Sequence, residues 1–156
     1  MKELLPFLQS YIKGSFAVIK ELKQLHIPNE ARLFSMDASS MYTTNIDMSL
    51  SIKALMDFIN LYKERLSSNF PKNLFIWILT TVMENNIFSF GDTFGLQTSE
   101  TVMGTPSACA HVMVSFGYHE NTTIITTYRP NLLYYRRYIN DILGIWLPSP
   151  RENIVT

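Results

Sequence analysis

Asp37 and Asp141 are the two residues whose type and placement could do chemistry together. Asp37 closes the short apolar run Ala31–Met36, and Asp141 ends the trio Ile139-Asn140-Asp141 between two aromatic and aliphatic runs. They lie 104 positions apart (141 − 37), yet neighbouring strands of one sheet can bring two such acids together. Carboxylate oxygens suit Mg²⁺, which leaves room for water and substrate phosphates. Two such ions can stabilise the attacking and leaving oxygens of a phosphoryl displacement. Taken singly, an aspartate at a strand end is more often a turn former or a helix cap. The other reactive side chains read more plainly. His111 and His119 have no carboxylate at ligand spacing and read as packed or surface histidines, while Arg136-Arg137 suits either a phosphate contact or a solvated strand edge. Cys109 is the sole cysteine, which excludes an intramolecular disulfide and a multi-cysteine zinc site.

The two acids need a sheet to position them. Ala31–Met36 is too short for a stable helix and suits a buried strand. Leu132–Tyr138 and Ile142–Leu147 suit a hairpin with the polar pair Asn140-Asp141 at its tip. Around these, periodicity predicts helices. Leu5, Leu8 and Ile12 share one helical face, as do Phe16, Ile19 and Leu22, with a break at Gly14-Ser15 and Ser15 as N-cap. After Asp47, read as an N-cap, the residues Met48, Ile52, Leu55, Met56, Ile59, Tyr62 and Leu66 trace a long amphipathic face. A further helix starts at Pro71, buries Phe75, Ile78, Leu79 and Val82, and ends at Asn85-Asn86. Ile87–Phe90 and Thr93–Gln97 flank Gly91-Asp92 as a second hairpin. Thr105-Pro106 then opens a helix whose Cys109, Val112, Met113 and Phe116 face one way, ending near Gly117. The fold class expected is α+β, a small, mostly antiparallel sheet carrying Asp37 and Asp141 with helices packed on one face.

Three blocks in this order resemble the palm of a reverse transcriptase, most closely the Penelope-like retroelement group. The first is Phe34-Ser-Met-Asp37-Ala-Ser-Ser-Met-Tyr42-Thr-Thr-Asn45-Ile46, the second Phe94-Gly-Leu-Gln97-Thr-Ser-Glu100-Thr-Val-Met103-Gly104-Thr105-Pro106, and the third Arg137-Tyr138-Ile139-Asn140-Asp141-Ile142. Ser115–Glu120 also fits. The resemblance implies a polymerase-palm-like sheet and template-directed DNA synthesis by two-metal nucleotidyl transfer, with RNA template, DNA primer and deoxynucleoside triphosphates as partners. It makes Asp37 and Asp141 ligands of two Mg²⁺ ions, and Tyr42 the aromatic that excludes a nucleotide 2′-hydroxyl. Gln97, Met103, Gly104 and Pro106 would pack against template and incoming nucleotide, and Tyr138 would lie near the primer end.

Asn140 stands where the resemblance calls for the central metal-binding aspartate, so the catalytic set has one degenerate position. A lost charge of this kind is worth about 3–4 kcal/mol per oriented stabiliser. Glu100 replaces a glycine of the family. The expectation is therefore a single partial reverse transcriptase domain over residues 1–156, the palm core without fingers or thumb, impaired or inactive alone. The alternative is a catalytically dead structural or nucleic-acid-binding remnant of a retroelement. Composition sets the outer limits. With 47% hydrophobic and 17% charged residues the chain can close a core, and thirteen basic residues balance thirteen acidic ones, unlike a strongly basic nucleic-acid binder. The longest apolar run, residues 73–83, falls short of the roughly 20 needed to cross a bilayer, so a soluble protein without a membrane partner is expected, and the single cysteine is compatible with an intracellular compartment.

Overall fold

The structure, a computed structural model, describes residues 3–39, 48–97 and 106–149. Along the chain run α1 (Ser15–Leu22), β1 (Arg32–Asp37), α2 (Met48–Leu61), α3 (Lys72–Glu84), β2 (Ile87–Phe90), β3 (Thr93–Leu96) and α4 (Pro106–His119). A π-helical turn (Glu120–Ile124) then leads into α5 (Ile125–Tyr128), β4 (Leu132–Tyr138) and β5 (Asp141–Trp146). The protein is α+β: β1, β5 and β4 form one antiparallel sheet in that order, and β2 and β3 form another. No helix among the described residues is long and apolar enough to cross a membrane. The chain divides into two compact units, Met1–Phe7 with Ser40–Tyr118, and Leu8–Ser39 with His119–Thr156.

In the first unit, α2 buries Ser51, Leu55, Phe58 and Ile59, the i, i+4, i+7, i+8 stripe of an amphipathic helix. That stripe is rotated from the expected one, and Met56 is exposed. The helix also stops at Leu61. Lys63–Arg65 forms a 3-10 turn, because Lys-Glu-Arg offers no apolar residue to bury on another turn. Pro71 occupies the N-cap of α3 rather than its first position, and Leu79 and Met83 are its buried residues. At the other end both the backbone N–H of Asn85, at 3.2 Å, and its side-chain amide, at 2.8 Å, donate to the Thr81 carbonyl and close the helix. Helix α4 has five consecutive buried residues, His111–Ser115, so it is covered all round instead of showing the single face expected. Nor does it end at Gly117. An interior glycine costs only about 1 kcal/mol, and the helical run continues through the π turn and α5 until Arg129-Pro130.

The second unit carries the three-stranded sheet. Strand β1 forms where expected but is an exposed edge, with Leu33 and Met36 largely in solvent, because no strand among the described residues pairs with its outer side. Only Phe34 turns inward, over Gly144 of β5, where a Cβ would collide with its ring. Tyr134 and Tyr135 are adjacent in β4 and so point to opposite faces. One reaches Glu21 of α1 and the other Glu120 of the π turn, so helical segments contact both faces of the sheet, not one as expected. The expected helical face through Leu5, Leu8 and Ile12 is replaced by a 3-10 turn at Leu5–Phe7 and a parallel bridge between Tyr11 and Arg137 that caps the β4 edge. Gly14, at φ +151°, takes the N-cap position of α1, and Ser15 becomes its first helical residue.

Candidate functional site

The register of the sheet sets Asp37 of β1 directly opposite Asp141 of β5, and Asp141 directly opposite Tyr138 of β4. Directly opposed residues share a face, with Cβ atoms about 4.5–5.5 Å apart. Asp37, Asp141 and Tyr138 thus form one cross-strand row at the turn end of the sheet, all three exposed. Two like charges in that position destabilise a bare sheet, so the row favours whatever brings positive charge or donor hydrogens. Asn140 does so already: its side-chain amide donates to Asp37 Oδ1 at 2.6 Å. The backbone locks the same corner, with Ala38 N–H donating to the Asn140 carbonyl at 2.9 Å.

The turn between β4 and β5 is Ile139-Asn140, so Asp141 begins β5 and does not sit at the tip as expected. Ile139 has φ +56°, and it is the sole non-glycine residue at positive φ among the described residues. Positive φ at the first central position alone is the mark of a type II′ hairpin turn, where glycine is the usual occupant. A β-branched residue there is a true conformational outlier. Beneath the turn, Arg137 is buried together with Glu120, and its Nε donates to both carboxylate oxygens at 2.8 and 3.0 Å. Arg137 Nη1 donates to the Ile139 carbonyl at 2.7 Å. Glu120 also accepts from Ser10 Oγ at 2.6 Å and Tyr135 OH at 2.9 Å. Burial pushes the Tyr135 phenol above its usual range and the Glu120 charge adds to the effect. Burial, with the Glu21 hydrogen bond, raises Tyr134 to about 12. Arg136 pairs with Glu21 at 2.7 Å. Arg137 is thus buried in the fold and not at the solvated strand edge expected of it, while the partly exposed Arg136 is held by Glu21. No spacing in the sequence marks Glu120 as the partner of Arg137, since they lie 17 positions apart (137 − 120) with α5 between them.

On the face that carries the acids, a cleft of roughly 330 Å³ is lined by Val18 and Ile19 of α1 and by Ser35, Tyr138, Asp141 and Leu143 of the sheet. Arg136, which Glu21 pairs, also lines it, and this mixture of apolar walls with one carboxylate and one guanidinium suits a small organic group more than a bare ion. In donor terms, Asp37 and Asp141 match the one or two carboxylates that Mg²⁺ takes from protein while phosphate and water fill the rest. A second ion would need the charge that Asn140 lacks. Among the described residues no three His, Cys, Asp or Glu side chains come together.

The remaining candidates are dispersed. Gln97 belongs to the first unit, where its N–H donates to the Asn86 carbonyl at 2.9 Å and its Oε1 accepts from the Asn86 amide at 2.8 Å, closing the base of the β2–β3 hairpin. Pro106 opens α4 in that unit. Tyr42, Met103, Gly104 and Glu100 lie outside the described residues, as does Asp47. Comparison with protein-family models, with curated proteins and with solved structures finds no match to this chain.

Proposed function

We propose that this chain carries the palm of a reverse-transcriptase-like, RNA-directed DNA polymerase, weakened at its central metal position by Asn140. The observation that carries this reading is the pairing of Asp37 with Asp141 on one face at the end of the sheet, next to the turn that the third sequence block occupies. In the reaction a primer 3′-hydroxyl attacks the α-phosphorus of a deoxynucleoside triphosphate, forming a phosphodiester and releasing pyrophosphate. Asp37 and Asp141 would hold Mg²⁺, which when bound supplies positive charge to the phosphate oxygens. The chain's own work is to hold two carboxylates at one point and to set the Tyr138 ring beside them. By resemblance, Tyr42 guards against a 2′-hydroxyl, and Gln97, Met103, Gly104 and Pro106 meet template and nucleotide. RNA template, DNA primer and deoxynucleotides are the partners of this reading.

The test is Mg²⁺-dependent binding of a fluorescent deoxynucleoside triphosphate to the native chain, Asn140→Asp and Asp37→Ala. Asn140→Asp should bind at least about tenfold more tightly in Mg²⁺, because it restores a charged ligand, and Asp37→Ala should lose the Mg²⁺ dependence. Equal affinity in all three, with or without Mg²⁺, overturns the reading. One contact favours a second one. The Asn140–Asp37 hydrogen bond puts an amide where a cation would neutralise the acid, as in a catalytically dead structural or nucleic-acid-binding remnant. On that reading none of the three chains responds to Mg²⁺.

A further inference from the structure

A buried ion pair is a weak source of stability. Desolvating both charges offsets most of their attraction, and a well-packed apolar pair often does as well or better. Arg137 and Glu120 are nevertheless both almost fully buried, and everything around them converges on one place. Both backbone polar groups of Arg137 are held by the N-terminal segment, its N–H donating to Ser10 O at 2.6 Å and its carbonyl accepting from Ile12 N–H at 3.2 Å. Its guanidinium is held by the Glu120 carboxylate, which Ser10 and Tyr135 fix in turn. What the guanidinium then reaches is the carbonyl of Ile139, the strained residue of the turn. The peptide that carbonyl belongs to leads directly into Asn140, whose side chain meets Asp37. Glu120 itself opens a π-helical turn, a form of helix that is rare and common near functional sites.

We propose that Arg137 and Glu120 are positioning residues for the acid row: the buried pair fixes the direction of the Ile139 carbonyl, and so the Ile139-Asn140 turn that aims Asn140 and Asp141 at Asp37. The metal arm of this inference rests on the polymerase reading; the geometric arm does not. A rigid planar fork can bind a carboxylate and a carbonyl at once, which an ammonium on a flexible stem does not reproduce.

The experiment uses two replacements, the apolar double variant Arg137→Met/Glu120→Leu and the charge-retaining Arg137→Lys, with two readouts. The first is the side-chain amide NMR signal of Asn140, assigned by its loss in Asn140→Asp. The second is Mn²⁺ affinity in the Asn140→Asp background. Both variants should move the Asn140 amide to the position of a solvent-exposed amide and lower Mn²⁺ affinity at least tenfold, while circular dichroism shows a folded chain. A folded variant with the Asn140 signal unmoved overturns the proposal. Should the double variant fail to fold, Arg137→Lys decides the matter by the same signal. If Asn140→Asp binds no Mn²⁺ at all, the polymerase reading fails, and the Asn140 amide still decides this one.

Discussion

At the scale of single residues, the turn at Ile139 and the crossing at Gly144 set the shape of the acid-bearing corner. An L-residue in the left-handed region loses roughly 1–2 kcal/mol to the clash of Cβ with the following carbonyl oxygen. At φ +56° Ile139 bears that strain. Ile139→Gly should therefore stabilise the protein by about 1 kcal/mol, net of the extra freedom glycine gives the unfolded chain. Urea unfolding measures it, and an unchanged or lower midpoint would show the turn to be unstrained. Gly144 has the opposite need. Because the Phe34 ring occupies the space of its missing side chain, Gly144→Ala should destabilise by about 1–3 kcal/mol. Adding Phe34→Leu should recover part of that loss, and simple additivity in the double-mutant cycle would contradict the close approach. The acid row was legible in the sequence because Asp37 closes one strand-like run and Asp141 stands between two others. The strain was not, since an isoleucine in a turn carries no sign that its backbone is left-handed. Gly144 reads as an ordinary strand glycine until the strand opposite it is known.

At the scale of elements, the hairpins were legible and the limits of the long helix were not. Short aromatic and aliphatic runs on either side of Gly91-Asp92 and of Ile139-Asn140 leave few other ways to pair those segments. Strand β1 was legible as a strand but not as an edge, because its apolar residues look the same whether a neighbour covers them or solvent does. Helix α4 hid its extent behind Gly117 and its all-round burial behind the polar residues His111 and Ser115. His111 is the costly one. Its Nε2 shares a 2.8 Å hydrogen bond with Ser51 Oγ, its Nδ1 has no hydrogen-bond partner among the described residues, and burial lowers its pKa to about 4. An unfolded histidine titrates near 6.5. Between those values the unfolded chain binds the proton and the folded one does not, so stability is complete above pH about 6.5 and falls as pH drops toward 4. Going from pH 7 to pH 5 should remove about 2 kcal/mol of the stability measured by urea unfolding. His111→Gln should flatten that slope. A slope that His111→Gln leaves intact would assign the pH dependence to other groups.

At the scale of the whole molecule, the balance of charges and the assembly of the acids bear on the same question. With thirteen positive and thirteen negative side chains, the chain has no general attraction for a polyanion. A nucleotide would therefore come to it through a specific site, and the Asp37–Asp141 row of the second unit is the place where a bound cation could convert local negative charge into affinity for phosphate. The nucleotide role of that site is what the resemblance of the three blocks implies, and the departure at Asn140 is where its chemistry would be decided. One charge fewer changes ligand strength without changing the strand pairing, and no pattern of hydrophobicity records it. The most direct measurement is paramagnetic broadening of backbone amide signals as Mn²⁺ is titrated into the native, isotope-labelled chain. Asp37, Ala38, Tyr138, Asn140 and Asp141 should broaden together at the lowest Mn²⁺ concentrations, and Asp37→Ala should abolish the effect at all five. Broadening that spares this corner, or that reaches only one of the two aspartates, would contradict a shared cation site.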